Sequence, residues 1–242
     1  MRDRNKPAYD RHGWRVQSSV SSRVRNARHR LAELLDDPVP QPPPPLRFRP
    51  PAATPQDDAD RPLLVAAPAA VPGRLHVERV EVAGRDRLLV TGPNGAGKST
   101  LLHVLASPAA RRPGTRVALL PQEAAFPRPD LTPSQVLRAA APDDDAPSLP
   151  DLGLLAKNDA ERPLAHLSAG QRRRVALALA IVRAPHVLLL DEPSNHLSLA
   201  LVEDLEAALD AAPAAVVVAT HDRWLRRRWQ GRELRLAAGR AA

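Results

Sequence analysis

Three short aliphatic runs, Leu88–Val90, Val187–Leu190 and Val216–Val218, contain no polar residue. A strand that is apolar on both faces of its pleat suits a parallel sheet covered on both sides. The wider pattern predicts strands at Arg74–Val82, Leu88–Thr91, Arg116–Leu120, Val187–Leu190 and Ala215–Ala219. Between and after them, helical spacing predicts helices at Lys98–Ala106, Pro133–Ala140, Ala169–Val182, Ala200–Asp210 and Arg223–Arg228. Strands alternating with helices point to an α/β fold, and no internal repeat is visible.

Upstream the pattern differs. Val20, Val24, Ala27, Leu31 and Leu34/Leu35 recur at helical spacing, with Arg23, Arg25, Arg28 and Arg30 on the remaining face. This reads as a basic amphipathic helix ending near Asp36-Asp37-Pro38. Residues 38–72 then hold 12 of the 27 prolines. Proline removes backbone donors and disfavours helix in the residue before it, so the stretch reads as an extended or disordered linker. The expected division is a basic helical segment at 1–37, a Pro-rich linker at 38–73 and a folded domain at 74–242.

Composition narrows the chemistry. Of 242 residues, 43% are hydrophobic but only 2% aromatic, so the core must be built from Ala, Leu and Val. The absence of cysteine excludes a disulfide scaffold, a Cys-ligated metal and a Cys nucleophile. It is compatible with the cytoplasm, the expected location. No run reaches the roughly 18 apolar residues of a membrane span, and the charged N-terminus lacks the apolar core of a signal peptide. Net charge is +8, of which residues 1–50 carry +6. A basic arm on a near-neutral body suits a polyanion such as RNA. An ordinary surface helix with an arginine bias from GC-rich coding reads the same way.

The strongest motif is Gly92-Pro93-Asn94-Gly95-Ala96-Gly97-Lys98-Ser99-Thr100, which matches G-x-x-x-x-G-K-[ST] between a predicted strand and a predicted helix. Glycines let the backbone curl so that successive N–H groups face a phosphate, and the helix adds its positive end. Lys98 supplies a charge for the β- and γ-phosphates, and the Ser99 hydroxyl is placed to ligate Mg²⁺. A second site lies 93 residues after Lys98, where Val187–Leu190 runs into Asp191 and Glu192. Carboxylates are costly inside a buried strand, but at its C-terminal end they can face a ligand crevice. Asp191 is the candidate for Mg²⁺ through water, and Glu192 for orienting or deprotonating an attacking water.

Between the two sites lies Leu167-Ser168-Ala169-Gly170-Gln171, followed by Arg172–Arg174. Taken alone, this is also the pattern of a Ser-capped helix with an exposed arginine triplet. Together with the phosphate loop and the Asp-Glu strand end, it resembles the LSGGQ signature of an ABC-type ATPase domain, with Ala169 for the first glycine. The resemblance implies a P-loop NTPase fold of ABC type: a mainly parallel sheet, flanking helices and a small helical subdomain. It implies ATP and Mg²⁺ as ligands, and Ser168, Gly170 and Gln171 as contacts to a nucleotide held by a partner domain. It further matches Gln122 to the family's loop glutamine, a ligand of Mg²⁺ and water, and His221 to the histidine that contacts the γ-phosphate. The aromatic platform it implies for adenine has no counterpart, since only Phe48 lies between Trp14 and the loop.

Glu192-Pro193-Ser194-Asn195-His196-Leu197-Ser198 looks like the DEPTNHLD segment of the F-subfamily, soluble ABC proteins that act on ribosomes, with Ser198 in place of the last Asp. The segment Asn5–Gly13, the basic helix and Pro38–Phe48 resemble the interdomain linker of F-type antibiotic-resistance proteins. The resemblance covers only the C-terminal half of such proteins, which carry two ATPase domains. One ABC domain cannot close a site on itself, so the expected partner is a second ABC domain, from a homodimer or a separate chain. Three readings follow: an F-type ATPase on the ribosome, an ATP-binding subunit of a transporter whose membrane part is another chain, and a truncated, weakly active half-protein.

Overall fold

The computed structural model describes residues 61–67, 69–141, 146–195 and 197–241. The basic helix expected within 1–37, most of the Pro-rich stretch and His196 lie outside these residues.

The strands in chain order are β1 (Pro62–Ala66), β2 (Ala69–Val71), β3 (Leu75–Val77), β4 (Val80–Ala83), β5 (Arg87–Thr91), β6 (Val117–Leu120), β7 (Val187–Asp191), β8 (Ala215–Ala219), β9 (Arg232–Ala237) and β10 (Arg240–Ala241). Eight of them form one sheet in the order β2-β3-β10-β9-β5-β8-β7-β6. From β9 to β6 every neighbouring pair is parallel. β1 and β4 pair antiparallel in a separate two-stranded sheet. The helices are α1 (Lys98–Ala106), α2 (Pro133–Ala140), α3 (Lys157–Ala160), α4 (Ala169–Val182), α5 (Leu199–Ala211) and α6 (Arg223–Arg228).

The aliphatic runs are explained by what covers the sheet. All residues of β7 and β8 are buried. Their side chains alternate between two apolar layers, as pleating requires. Val187, Leu189 and Val217 join Leu101, Leu102 and Leu105 of α1 on one side. Leu188, Leu190, Val216 and Val218 join Val175 and Leu177 of α4 and Leu205 of α5 on the other. The second layer continues into the small helical subdomain, where α2 packs against α3 and α4 and fully buried Leu149, Leu152, Leu154 and Leu155 fill the interior.

Two expectations need correction. Arg74–Val82 is not one strand: it breaks at Glu78-Arg79, and β3 and β4 enter different sheets. The linker expected to run through residue 73 already contains β1 and β2, so among the described residues folded structure reaches back to Pro62. Leu63, Leu64 and Ala66 are buried in the same layer as α1, and that burial outweighs the local proline signal. Pro62 is compatible because it opens its strand, where a missing donor is tolerated. β9 was not foreseen, although Arg-Glu-Leu-Arg-Leu-Ala alternates with the period of a strand.

α4 carries a charge into this interior. Arg173 lies on the helical face of Leu177 and Ala180 and is 3% exposed, so the triplet is not uniformly exposed. Its guanidinium donates to the carbonyls of Pro121 and Gln122 (2.7 Å for the latter), just past β6. It also donates to those of Asp191 and Glu192 (3.0 Å for the latter), at the end of β7. Burial pulls its pKa below the usual arginine value, and the charges of Asp191 and Glu192 pull it back. Removing this donor takes a hydrogen bond from four carbonyls, of which that of Glu192 keeps a backbone donor, the Asn195 N–H (3.2 Å). Arg173→Met is expected to cost about 2–5 kcal/mol in urea unfolding. A loss below about 1 kcal/mol would contradict this role.

Candidate functional site

The loop between β5 and α1 is shaped by close backbone approaches. Gly92 has φ +147° and Gly97 φ +96°. A Cβ on Gly92 would stand 2.2 Å from the Leu236 carbonyl oxygen, and one on Gly97 2.7 Å from that of Arg74. Both positions therefore require glycine. The Ala96 N–H donates to Pro93 (3.1 Å), and the Ala96 carbonyl accepts from Gly239 (3.2 Å). α1 starts at once with Lys98, so its first N–H groups have no partner within the helix and are free for an anion. Lys98 itself is buried, and its Nζ donates to the carbonyls of Gly92 (2.9 Å) and Pro93 (3.2 Å).

At the end of β7, Asp191 and Glu192 are 1% and 5% exposed. Neither carboxylate oxygen of Asp191 has a hydrogen-bond partner with good geometry. Burial pushes its pKa above the ordinary carboxylate value, and the Glu192 charge adds to the rise. The neighbouring Ser99 hydroxyl and the charges of Arg173 and Lys98 oppose it without satisfying either oxygen. Glu192 has φ +49°, a strained conformation for a residue with a side chain, held by its N–H donating to Ala219 (2.8 Å). Its Oε2 accepts from the Thr220 hydroxyl (2.9 Å). Its Oε1 accepts from the His221 N–H (3.2 Å) and lies 2.7 Å from His221 Nδ1.

These groups meet in one cleft of about 500 Å³. Asn94, Gly95, Gly97, Lys98, Ser99, Thr100, Gln122, Asp191, Glu192 and His221 line it, joined by Gly73 and Arg74. Gly92, Pro93 and Ala96 shape the loop without lining the cleft. Ser168, Gly170 and Gln171 do not line it either. They begin α4, where Ser168 and Gln171 form a reciprocal capping box and Gln171 Nε2 donates to Asp159 (2.8 Å). Among the described residues no three His, Asp or Glu converge as a metal cage. Hydroxyl, amide and carboxylate oxygens from Ser99, Gln122 and Asp191 suit a hard cation that shares its shell with phosphate.

Four participants escaped the sequence reading. Thr220 and Gly73 carry no local signal. Arg173 could have been found from its spacing to Leu177 and Ala180. Arg74 sits 24 residues before Lys98, inside the predicted strand, where nothing marked it as a wall of the cleft.

Residues 77–195 match the ABC transporter family. The tylosin resistance ATP-binding protein TlrC of Streptomyces fradiae is 40% identical over 227 residues, covering 90% of this chain and 41% of that protein. The zinc import ATP-binding protein ZnuC of Cereibacter sphaeroides is 37% identical over 161 residues, covering 59% of this chain and 64% of ZnuC. Among solved structures, the dimeric ATP-binding cassette MJ0796 bound to ADP and phosphate superposes with a TM-score of 0.55 at 20% identity, over 74% of this chain and 94% of the cassette. The chain thus spans less than half the length of TlrC. Residues 77–195 form a domain of the ABC transporter family with the P-loop NTPase fold, in a chain that resembles the C-terminal half of F-subfamily members.

Proposed function

We propose that this chain is one half of a magnesium-dependent ATPase of the F type, which acts on the ribosome in antibiotic resistance and hydrolyses ATP only when paired with a second ABC domain. One observation carries the reading. Groups suited to grip a triphosphate and activate water line a single cleft, whereas Ser168 and Gly170 of the signature lie outside it. A complete site then needs the signature of another domain.

The phosphates of ATP fit the loop, whose free N–H groups and helix end favour negative charge. Lys98 exchanges its two loop carbonyls for phosphate oxygens. Mg²⁺ fits the orphaned oxygens of Asp191 with Ser99 and Gln122, and when bound it supplies positive charge to phosphate oxygens. Glu192 is the general base. Its carboxylate is now engaged by Thr220 and His221. The His221 side chain is 59% exposed and has room to turn toward phosphate, which frees Oε1 for water. The ribosomal and resistance parts of the proposal draw on the likeness of Glu192–Ser198 to the F-type segment, the similarity to TlrC and the basic residues of 1–37. Among the described residues no helix is long and apolar enough to cross a membrane.

Turnover at low chain concentration is expected to rise with about the square of concentration, because two half-sites must meet. Glu192→Gln is expected to keep ATP binding, lower turnover at least ~100-fold and leave a pair trapped with ATP. First-order dependence down to nanomolar chain, or normal turnover by the variant, would contradict the split site or the base assignment.

Asp191→Asn removes a buried charge whose oxygens lack hydrogen-bond partners. In the absence of nucleotide its Tm is expected to rise by about 2–6 °C, while the stabilisation given by Mg²⁺ and ATP disappears. An unchanged response to Mg²⁺ and ATP would refute the ligand role.

Ribosomes are expected to carry the chain into the pellet on sedimentation with ATP, and deletion of residues 1–37 to abolish this. Absence of the intact chain from the pellet would remove the ribosomal part of the proposal.

A further inference from the structure

The cleft has a wall whose chemistry neither hydrolysis nor phosphate binding uses. Gly73 and Arg74, in the turn between β2 and β3, line it together with the loop. The Arg74 backbone is pinned: its N–H donates to Val71 (2.9 Å), and its carbonyl oxygen lies where side chains on Gly97 or Gly239 would collide. Its side chain is the opposite, exposed and, among the described residues, without a hydrogen bond or ion pair. Beside it, a Cβ on Gly73 would meet nothing within 4 Å, so there is open space over the turn.

A bound nucleotide divides itself by chemistry. Its phosphates go to Lys98, Ser99 and the helix end, and its γ-phosphate toward Glu192 and His221. The base is left to the remaining wall. Among the described residues no Phe, Tyr or Trp lines the cleft, so none of them offers an aromatic ring to stack on it. A guanidinium is flat, weakly hydrated and stacks on aromatic faces. It also carries only donors. Guanine offers two adjacent acceptors, N7 and O6, while adenine offers N7 beside an amino donor.

We infer that Arg74 is the base-contacting residue of this site, and that the site therefore accepts GTP at least as readily as ATP. The inference rests on the proposed nucleotide site and adds its base subsite. Stacking on a guanidinium tolerates either purine. Edge-on contact favours guanine. Neither geometry provides a means to exclude it.

Binding of fluorescent ATP and GTP analogues to the full chain with Mg²⁺ tests this, with displacement by inorganic tripolyphosphate as a probe lacking the base. The wild-type Kd for GTP is expected to equal that for ATP within about threefold, or to be lower. Arg74→Ala is expected to weaken both nucleotides about 5- to 20-fold and leave tripolyphosphate affinity unchanged. Arg74→Lys keeps the charge without the plane and is expected to recover little of the loss. The exposed position of Arg74 predicts an unchanged melting temperature for both variants. A parallel loss of tripolyphosphate affinity would make Arg74 a phosphate contact and overturn the inference, as would full recovery by lysine. Unchanged nucleotide affinity in Arg74→Ala, or a wild-type preference for ATP above about tenfold, would overturn it too. If Lys98→Ala abolishes binding while Arg74→Ala does not, only the base assignment fails. If wild-type chain binds neither nucleotides nor tripolyphosphate, the nucleotide site itself fails and the inference with it.

Discussion

The floor of the cleft is held by one buried guanidinium. Gln122 follows β6 and the Asp191–Glu192 pair ends β7, and parallel strands present their last carbonyls side by side at the sheet edge. Of these carbonyls, that of Glu192 accepts from the Asn195 N–H (3.2 Å). Arg173 reaches in from α4 and donates to four of them. A hydrophobic residue could fill that volume but could not satisfy the oxygens. The relative position of the loop glutamine and the two acids thus depends on a residue that does not itself line the cleft.

Against that floor the fold keeps one group unsatisfied, one turned inward and one strained. Asp191 is buried with both oxygens unpaired, Lys98 is turned back on its own loop, and Glu192 sits at positive φ. The first and last are unfavourable in isolation, and they persist because the surrounding sheet and helices over-determine them. A cation carried in with a triphosphate would relieve the first and give Lys98 phosphate oxygens in place of its loop carbonyls, which is the physical argument for binding at this spot. Glu192 is different. Its bonds to Thr220 and His221 hold the carboxylate in place without covering it by an opposite full charge from lysine or arginine.

α4 links this floor to the signature. Ser168 caps the helix and Arg173 follows within two turns, so the end proposed to meet a partner and the residue that positions Gln122 and Glu192 belong to one rigid element. The capping box between Ser168 and Gln171 shows the cost of engagement: the hydroxyl that would reach a partner's nucleotide now closes its own helix end.

Local chemistry made much of this chain legible from residues alone. The phosphate loop, the Asp191–Glu192 strand end, the capped start of α4 and the aliphatic strands are contiguous patterns whose meaning depends on neighbours three or four positions away. The structure adds that Gln122, Asp191, Glu192 and His221, scattered over a hundred residues, face Lys98 across one cleft. It also decides what the sequence left open or misread: that Pro62–Ala66 is a strand, that one arginine of a triplet goes inward, and that Arg74 forms a wall of the site. The reason is the same in each case. Burial of β1 against α1, the direction of Arg173 on its helix and the pinning of Arg74 against Gly97 arise from contacts between segments distant in sequence, and no local pattern encodes such contacts.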